Sequence, residues 1–166
     1  LPTMLVSRGV GSGTAGVSLA LIGAFNIIGG LVMPVLIERL RDLRPVPLIL
    51  AATTAAGWIG VLVNASAAPL IWASLMGIGG MCFPLALALL AARTREPAVT
   101  ARLSGFVQPG GYLLAGGFPF IFGLVAQATG GWSVSLAVLI ALTVAMAVAG
   151  VAAARPVYID DELLSK

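Results

Sequence analysis

Residues Leu103–Ala154 have the sequence LSGFVQPGGYLLAGGFPFIFGLVAQATGGWSVSLAVLIALTVAMAVAGVAAA, which contains no aspartate, glutamate, lysine or arginine. This uncharged run of 52 residues can cross a bilayer twice, because one helix needs about 20 apolar residues to span roughly 30 Å of hydrocarbon. Backbone groups in lipid must pair within a helix or a closed barrel, and the run lacks the alternating pattern of barrel strands. It therefore predicts two transmembrane helices, separated by a turn at Ala128–Trp132.

The composition of the whole chain is that of a membrane protein. Of its 166 residues, 60% are hydrophobic and 9% are charged, whereas soluble domains average about 25% charged residues. A single cysteine and the absence of histidine exclude an internal disulfide and an imidazole metal ligand. We interpret the net charge of +3 as a sign of orientation in a lipid bilayer, not of nucleic-acid binding.

Two further uncharged windows bring the count to five spans. Residues Gly9–Ile37 allow one crossing, and Pro45–Ala92 allow two, with a turn at Asn64–Pro69. The predicted spans are residues 13–37, 46–64, 70–92, 103–127 and 132–154. The preceding LPTMLVSRG is predicted to be the end of a sixth helix that begins upstream. Residues 1–154 then form one six-helix unit with a truncated first helix, and residues 155–166 form a tail.

The basic residues alternate with the spans as a five-crossing topology requires. The loops on one side carry only Arg8. Because cytoplasmic loops collect Lys and Arg, we expect the other side and the C-terminus to be cytoplasmic, in a bacterial inner membrane. The basic residues of that side are Arg39, Arg41, Arg44, Arg93, Arg95, Arg102, Arg155 and Lys166. The sequence thus predicts an all-α, polytopic transmembrane bundle.

Motifs for catalysis or cofactor binding are not supported. Gly11–Gly16 matches G-x-G-x-x-G, but a dinucleotide site needs a preceding strand and an acid about 20 residues later. Asn64–Ser66 matches a glycosylation acceptor in a short loop, which we treat as a chance match. The spans contain no nucleophile elbow, zinc-binding helix or carboxylate pair. We therefore expect no enzymatic activity, no metal and no cofactor.

Polar residues in the fourth span are candidates for a substrate pathway. Gln108 and Tyr112 are four residues apart and so lie along one stripe of a helix. A glutamine facing lipid would cost a few kcal/mol, so we expect Gln108 to face other helices or a watery cavity. Pro109 removes a backbone hydrogen bond, and Gly110 and Gly111 thin the helix, which together predict a hinge.

Two interpretations of these polar residues stay open. They line a substrate pathway, or they form interhelical hydrogen bonds worth about 0.6 kcal/mol each. The same alternatives apply to Asn26 in the first span. In the third span, Phe83 and a hinge at Pro84 suit an apolar cavity or tight packing. No span contains a charge, so an ion or proton site would have to come from elsewhere.

Residues Phe83–Trp132 resemble the cyanate-porter and nitroimidazole-transporter branch of the major facilitator superfamily. The resemblance rests on F-P-L-A-L, R-T-x-x-P, L-S-G-F-x-Q-x-x-G-Y-L-L-A and the later G-x-W. It implies the C-terminal half of a twelve-helix permease, with the five spans as helices eight to twelve. It also implies a missing N-terminal half of the same chain and a small-molecule substrate such as cyanate, a nitroimidazole, another organic anion or a weak acid.

The resemblance further implies roles for particular segments. Helices eight, ten and eleven would shape the central path, and nine and twelve would lie outside. Pro34–Arg39 with Arg41 and Arg44 resembles the acid–arginine loop of the superfamily, with proline and glutamate where glycine and aspartate are common. The implied role is a cytoplasmic gate, in which Glu38 meets a helix N-terminus and Arg39 and its neighbours fix the cytoplasmic face. Ordinary positive-inside residues are the alternative.

Two functions of different classes fit the sequence. The first is a permease that moves a small solute by alternating access, with Tyr112 stacking on a planar solute. The second is a non-transporting anchor or assembly module, in which Gln108 and Asn26 only hold helices together. The two differ in whether loss of Gln108 reduces solute uptake or only the yield of folded protein.

Overall fold

The computed structural model describes residues 1–160, which form seven α-helices and no strand. The prediction of an all-α polytopic bundle is confirmed, since five segments are long and apolar enough to cross a bilayer, and the chain is an integral membrane protein. The predicted tail is described only as far as Asp160, and Lys166 lies outside the described residues. The helices are α1 (Pro2–Ser7), α2 (Ser12–Arg39), α3 (Pro45–Asn64), α4 (Pro69–Gly80), α5 (Cys82–Ala92), α6 (Pro97–Ala128) and α7 (Ser133–Ala153).

Proline begins several of these helices. Pro2, Pro45, Pro69 and Pro97 occupy the first turns of α1, α3, α4 and α6, where the backbone N–H has no helical partner and a fixed φ favours the helix. The predicted fourth span is only the inner part of α6. At 1.5 Å per residue α6 is about 48 Å long, so its first turns, with Arg102, extend beyond roughly 30 Å of hydrocarbon.

The third predicted span is interrupted just before Pro84, where a proline disrupts an α-helix. Pro84 has no amide hydrogen, and its ring clashes with the carbonyl four residues earlier, that of Gly80. α4 ends at Gly80 and α5 begins at Cys82. Between them the Met81 N–H donates to the Ile78 carbonyl at 3.1 Å, a tighter turn than an α-helix makes. The hinge predicted from Pro84 therefore coincides with a break in the helix.

Glycines bring α3 and α4 into close contact. A Cβ atom added to Gly57 would lie 2.5 Å from Cγ of Met76. A Cβ atom on Gly79 would overlap the Thr54 hydroxyl and would lie 2.7 Å from the Leu50 carbonyl oxygen. The Thr54 hydroxyl donates to that same carbonyl at 2.8 Å, so both neighbours of Gly79 are fixed. These positions admit no side chain without separating the helices.

Two clusters of buried apolar side chains fill the bundle. We call the end that carries residues 40–44, 93–96 and 154–160 the arginine end, and the other end the opposite end. One cluster lies toward the arginine end and includes Leu50, Leu85 and Leu89. The other lies toward the opposite end and includes Leu5 and Leu136, which are fully buried. Residues of α1, α2, α3, α4, α5 and α7 thus contribute to the two clusters, whereas α6 contributes none.

Helix α6 is the least buried helix of the bundle. Of its residues only Ala126 is buried. Its large apolar side chains Phe106, Leu113 and Phe120 are 84%, 77% and 76% exposed. It contacts α5 and α7 at a few places along its length, whereas α3 packs closely against α4 and α7. A long face of α6 is therefore without a protein neighbour in the described chain.

Two arginines cap helix C-termini at opposite ends of the bundle. Arg8 follows α1 and donates through Nη1 to the carbonyls of Val61 and Leu62, at 3.0 and 2.8 Å, in the last turn of α3. Arg93 follows α5 and donates through Nη2 to the carbonyl of Ala154, at 2.9 Å, just after α7. The last four carbonyls of a helix lack helical partners, and cations are favourable there. Arg8 is therefore a structural residue.

We expect Gly79→Ala to lower the free energy of unfolding by about 1–3 kcal/mol, because the added methyl group overpacks the α3–α4 contact. The measurement is thermal unfolding of the purified full-length protein in detergent. The control is Gly13→Ala, since a Cβ atom there meets nothing within 4 Å. Equal melting temperatures for the two variants would contradict a close contact between α3 and α4 at Gly79.

We expect Arg8→Gln to lower the free energy of unfolding by about 1.5–3 kcal/mol, the usual value of hydrogen bonds to a charged group. Arg8→Lys should recover part of the loss, because one ammonium can still reach a helix C-terminus. The measurement is again thermal unfolding in detergent, with Arg41→Gln, at an exposed position, as control. A melting temperature for Arg8→Gln equal to that of Arg41→Gln would show that the cap is not stabilising.

Candidate functional site

A cavity of about 770 Å³ lies between α5, α6 and α7. Its wall reaches from Arg93 and Arg155 at the arginine end to Phe83 and Tyr112, near the middle of their membrane-spanning segments. Most of the remaining lining is aliphatic. The volume falls within the range of about 300–1,000 Å³ that is typical of small-molecule sites.

Three of the four predicted pathway residues line this one cavity. Phe83 comes from α5, and Gln108 and Tyr112 come from α6. The rings of Phe83 and Tyr112 have centroids 6.4 Å apart and planes inclined at 55°, within the usual range for an aromatic pair. Gln108 is half-buried and faces the cavity, as expected for an amide that avoids lipid.

The fourth predicted pathway residue, Asn26, lies away from this cavity. Its Nδ2 atom donates to the Ile22 carbonyl in its own helix at 3.0 Å, and a Cβ atom on Gly80 would lie 3.1 Å from the same nitrogen. Asn26 thus packs against the break between α4 and α5, which Pro84 creates. The hydrogen bond stays within α2, so only the packing against Gly80 is interhelical, and a pathway role for Asn26 stays a prediction.

The predicted hinge on α6 lies beside the cavity. Gly111 lines the cavity, and α6 is one continuous helix through Pro109. A Cβ atom on Gly110 or Gly111 would meet nothing within 4 Å. Within residues 1–160, therefore, neither glycine allows the close approach of a neighbour that the sequence suggested. A hinge at these positions stays a prediction.

The predicted gate loop lies at the arginine end and is exposed. Its ion pair joins Asp42 and Arg44, with the Arg44 N–H donating to the Asp42 carboxylate at 3.0 Å and Arg44 Nε at 3.9 Å from the same oxygen. Exposed pairs of this kind contribute little to stability. Glu38 is exposed, like Arg39 and Arg41, and makes no hydrogen bond or ion pair within residues 1–160. Its latch role stays a prediction.

Asp160 caps α6, which the sequence did not reveal. Its carboxylate accepts hydrogen bonds from the backbone N–H groups of Arg95 and Glu96, at 2.9 and 3.3 Å. The hydrogen bond from the Arg95 N–H is the main reason that the pKa of the Asp160 carboxyl is lowered from its ordinary value. No local pattern could find this cap, because its partners are 65 and 64 positions away.

We expect Gln108→Cys to react with a small water-soluble thiol reagent at least about tenfold faster than Val144→Cys, because thiolate forms in water and not in hydrocarbon. Val144 is exposed on α7, outside the cavity lining. Both variants carry Cys82→Ala, since Cys82 also lines the cavity. The measurement is mass spectrometry of the labelled protein in nanodiscs. Equal rates would mean that water does not reach Gln108.

Comparison with known proteins places the chain among transporters, although no protein-family model and no solved structure matches it. The uncharacterized transporter YycB of Bacillus subtilis is 34% identical over 160 residues, 95% of this chain. The 2-nitroimidazole transporter of Escherichia coli is 32% identical over 156 residues, 93% of this chain. The cyanate transport protein CynX of Escherichia coli is 29% identical over 133 residues, 80% of this chain.

This chain spans 40%, 39% and 34% of the lengths of these three relatives. Those lengths are consistent with the C-terminal half of such a permease. The names describe transporters and not enzymes, as the sequence predicted. The matches to the first two relatives cover almost all of the chain. The resemblance to the cyanate-porter and nitroimidazole-transporter branch of the major facilitator superfamily is therefore confirmed.

Proposed function

We propose that the chain is the C-terminal half of a permease that moves a small solute across the bilayer by alternating access. The observation that carries this proposal is the cavity between α5, α6 and α7, which joins the arginine end to Phe83, Gln108 and Tyr112. A transporter needs such a path from one surface to a site near the midplane. Transport by the relatives supports the same function.

The cavity lining suits a small planar solute with anionic or weakly acidic character. The Phe83–Tyr112 pair offers aromatic faces for stacking, and the Gln108 amide offers both donors and an acceptor. At the arginine end, Arg93 and Arg155 favour anions.

The exposed faces of α2 and α6 support an N-terminal half of the same chain as a partner. Gly16, Gly23 and Gly30 of α2 are seven residues apart, and a Cβ atom on each would meet nothing within 4 Å. On α6, Phe106 and Phe120 flank Leu113 with the same spacing. A spacing of seven places each set on one stripe. Small residues in such stripes allow close packing of membrane helices, so the absent half would dock on these two helices.

The orientation in the membrane follows from the charges. Of the eight basic residues within residues 1–160, only Arg8 lies at the opposite end, and it is engaged with the α3 C-terminus. The positive-inside tendency supports an inner-membrane permease with the arginine end and the C-terminus in the cytoplasm. The remaining helix surfaces face lipid.

The alternative of a non-transporting module has weaker support at the cavity. Interhelical adhesion by Gln108 would require a hydrogen bond to a neighbouring helix, and its amide makes none within residues 1–160. The contacts of Asn26 with the α4–α5 break fit adhesion, so Asn26 is the weaker pathway candidate. The two functions are therefore best separated at Gln108 and Tyr112.

We expect Gln108→Ala to reduce uptake per folded molecule about tenfold, the effect of losing one hydrogen-bonding group worth about 1.4 kcal/mol. Tyr112→Leu should have a similar effect through loss of stacking, and Tyr112→Phe a smaller one. Uptake of labelled 2-nitroimidazole, cyanate and benzoate by the full-length protein in vesicles is measured against the amount of folded protein. The matched control is Gln127→Ala, at the exposed glutamine near the other end of α6.

If Gln108→Ala lowers the folded yield but leaves uptake per folded molecule unchanged, Gln108 only joins helices and the pathway assignment is wrong. Loss of uptake in Gln127→Ala as well would indicate a general defect in α6. Normal uptake by all variants, with normal yield, would exclude this cavity as the solute path.

A further inference from the structure

The chain turns back across the α5–α6 loop after α7 ends at Ala153. We call residues Val157–Asp160 the strap. The Ile159 N–H of the strap donates to the carbonyl of Arg93 at 3.0 Å. This hydrogen bond joins the strap to the residue that immediately follows α5.

Two further contacts join the strap to the start of α6. The Asp160 carboxylate accepts from the N–H groups of Arg95 and Glu96, and Glu96 is the residue just before the first turn of α6. The Arg95 guanidinium carbon lies 4.6 Å from the centre of the Tyr158 ring, a cation–π distance. The strap therefore bridges α5, α6 and α7 at one end of the bundle.

The strap also forms part of the cavity wall. Alternate residues Arg155, Val157 and Ile159 line the cavity, and Tyr158 and Asp160 contact the α5–α6 loop. Apolar side chains of the strap thus line the arginine end of the cavity, while its polar side chains bind the loop. The strap thus combines apolar residues that line the cavity with polar residues that attach it to the α5–α6 loop.

The strap is attached more weakly than the helices are packed. Its contacts are surface hydrogen bonds and one cation–π pair, and Val157 and Tyr158 are 46% and 38% exposed. Segments with few buried contacts open locally at low cost. The hydrogen bond from Arg93 to the Ala154 carbonyl does not involve the strap, so α5 and α7 stay joined when the strap detaches.

We propose that the strap is a gate at the arginine end of the cavity. When it is attached, Val157 and Ile159 block the mouth, and when it detaches, the mouth opens between Arg93 and Arg155. Because Asp160 binds the N–H groups of Arg95 and Glu96, release of the strap also frees the loop that leads into α6, the helix that carries Gln108. This gate rests on the proposed role of the cavity as the solute path.

The test uses Cys82, which lines the cavity and is half-buried, as a reporter of opening. The full-length protein in nanodiscs is treated with N-ethylmaleimide, and labelling of the Cys82 peptide is followed by mass spectrometry. We expect Asp160→Asn to react about fivefold faster than the unaltered protein, the factor that corresponds to loss of one helix N-cap. Ile159→Ala should also react faster, because it removes part of the closure and leaves the cap in place.

The matched control is Asp42→Asn, which removes an exposed carboxylate at the same end but outside the cavity lining, and it should label at the unaltered rate. Unaltered rates for both Asp160→Asn and Ile159→Ala would overturn the gate. Faster labelling with normal solute uptake would support the strap as a closure and count against solute transport through the cavity. Faster labelling together with changed uptake would support both.

Discussion

Backbone carbonyls at the ends of membrane helices have no partners within the helix and need other donors. The groups that supply these donors also join the helices of the bundle. Gly9 and Gly130, with φ of +86° and +69°, end α1 and α6 in turns in which the following N–H reaches back five residues, at 3.0 and 2.9 Å. Arg8 donates hydrogen bonds to carbonyls in the last turn of α3, and Arg93 donates one to the carbonyl just after α7. Each long-range cap therefore satisfies a helix end and also fixes which helices are neighbours.

The two arginine caps repeat one arrangement in inverted form. Arg8 follows the first described helix, α1, and ties it to the second span after it, α3, at the opposite end. Arg93 leaves the segment formed by α4 and α5 and ties it to α7 at the arginine end. Inverted repeats of three helices are a general feature of such transporters. The middle helix of each group, α2 or α6, has no such arginine cap and is more exposed than the helices on either side of it in its group.

Structural features that depend on local composition could be predicted from the sequence. Contacts between residues that lie far apart in the sequence could not. All five spans, the turn at Gly130 and the break near Pro84 follow from hydropathy and from the backbone restrictions of glycine and proline. The placement of Gln108 at a cavity followed from the cost of an amide in lipid. The role of Arg8 was not predictable, because the carbonyls it caps lie 53 and 54 positions away. The capping role of Asp160 was hidden for the same reason.

Helix α6 is hydrogen-bonded to other segments near its two ends. At the opposite end the Ser135 hydroxyl donates to the Phe122 carbonyl at 3.1 Å, and at the arginine end Asp160 binds the N–H groups just before the first turn. Pro109, between these attachments, removes one helical hydrogen bond and makes bending easiest there. Because Gln108 and its neighbours line the cavity, bending at the predicted hinge would change the width of the cavity and move the Gln108 amide with it. The position of Pro109 next to Gln108 would thus link the shape of α6 to the cavity.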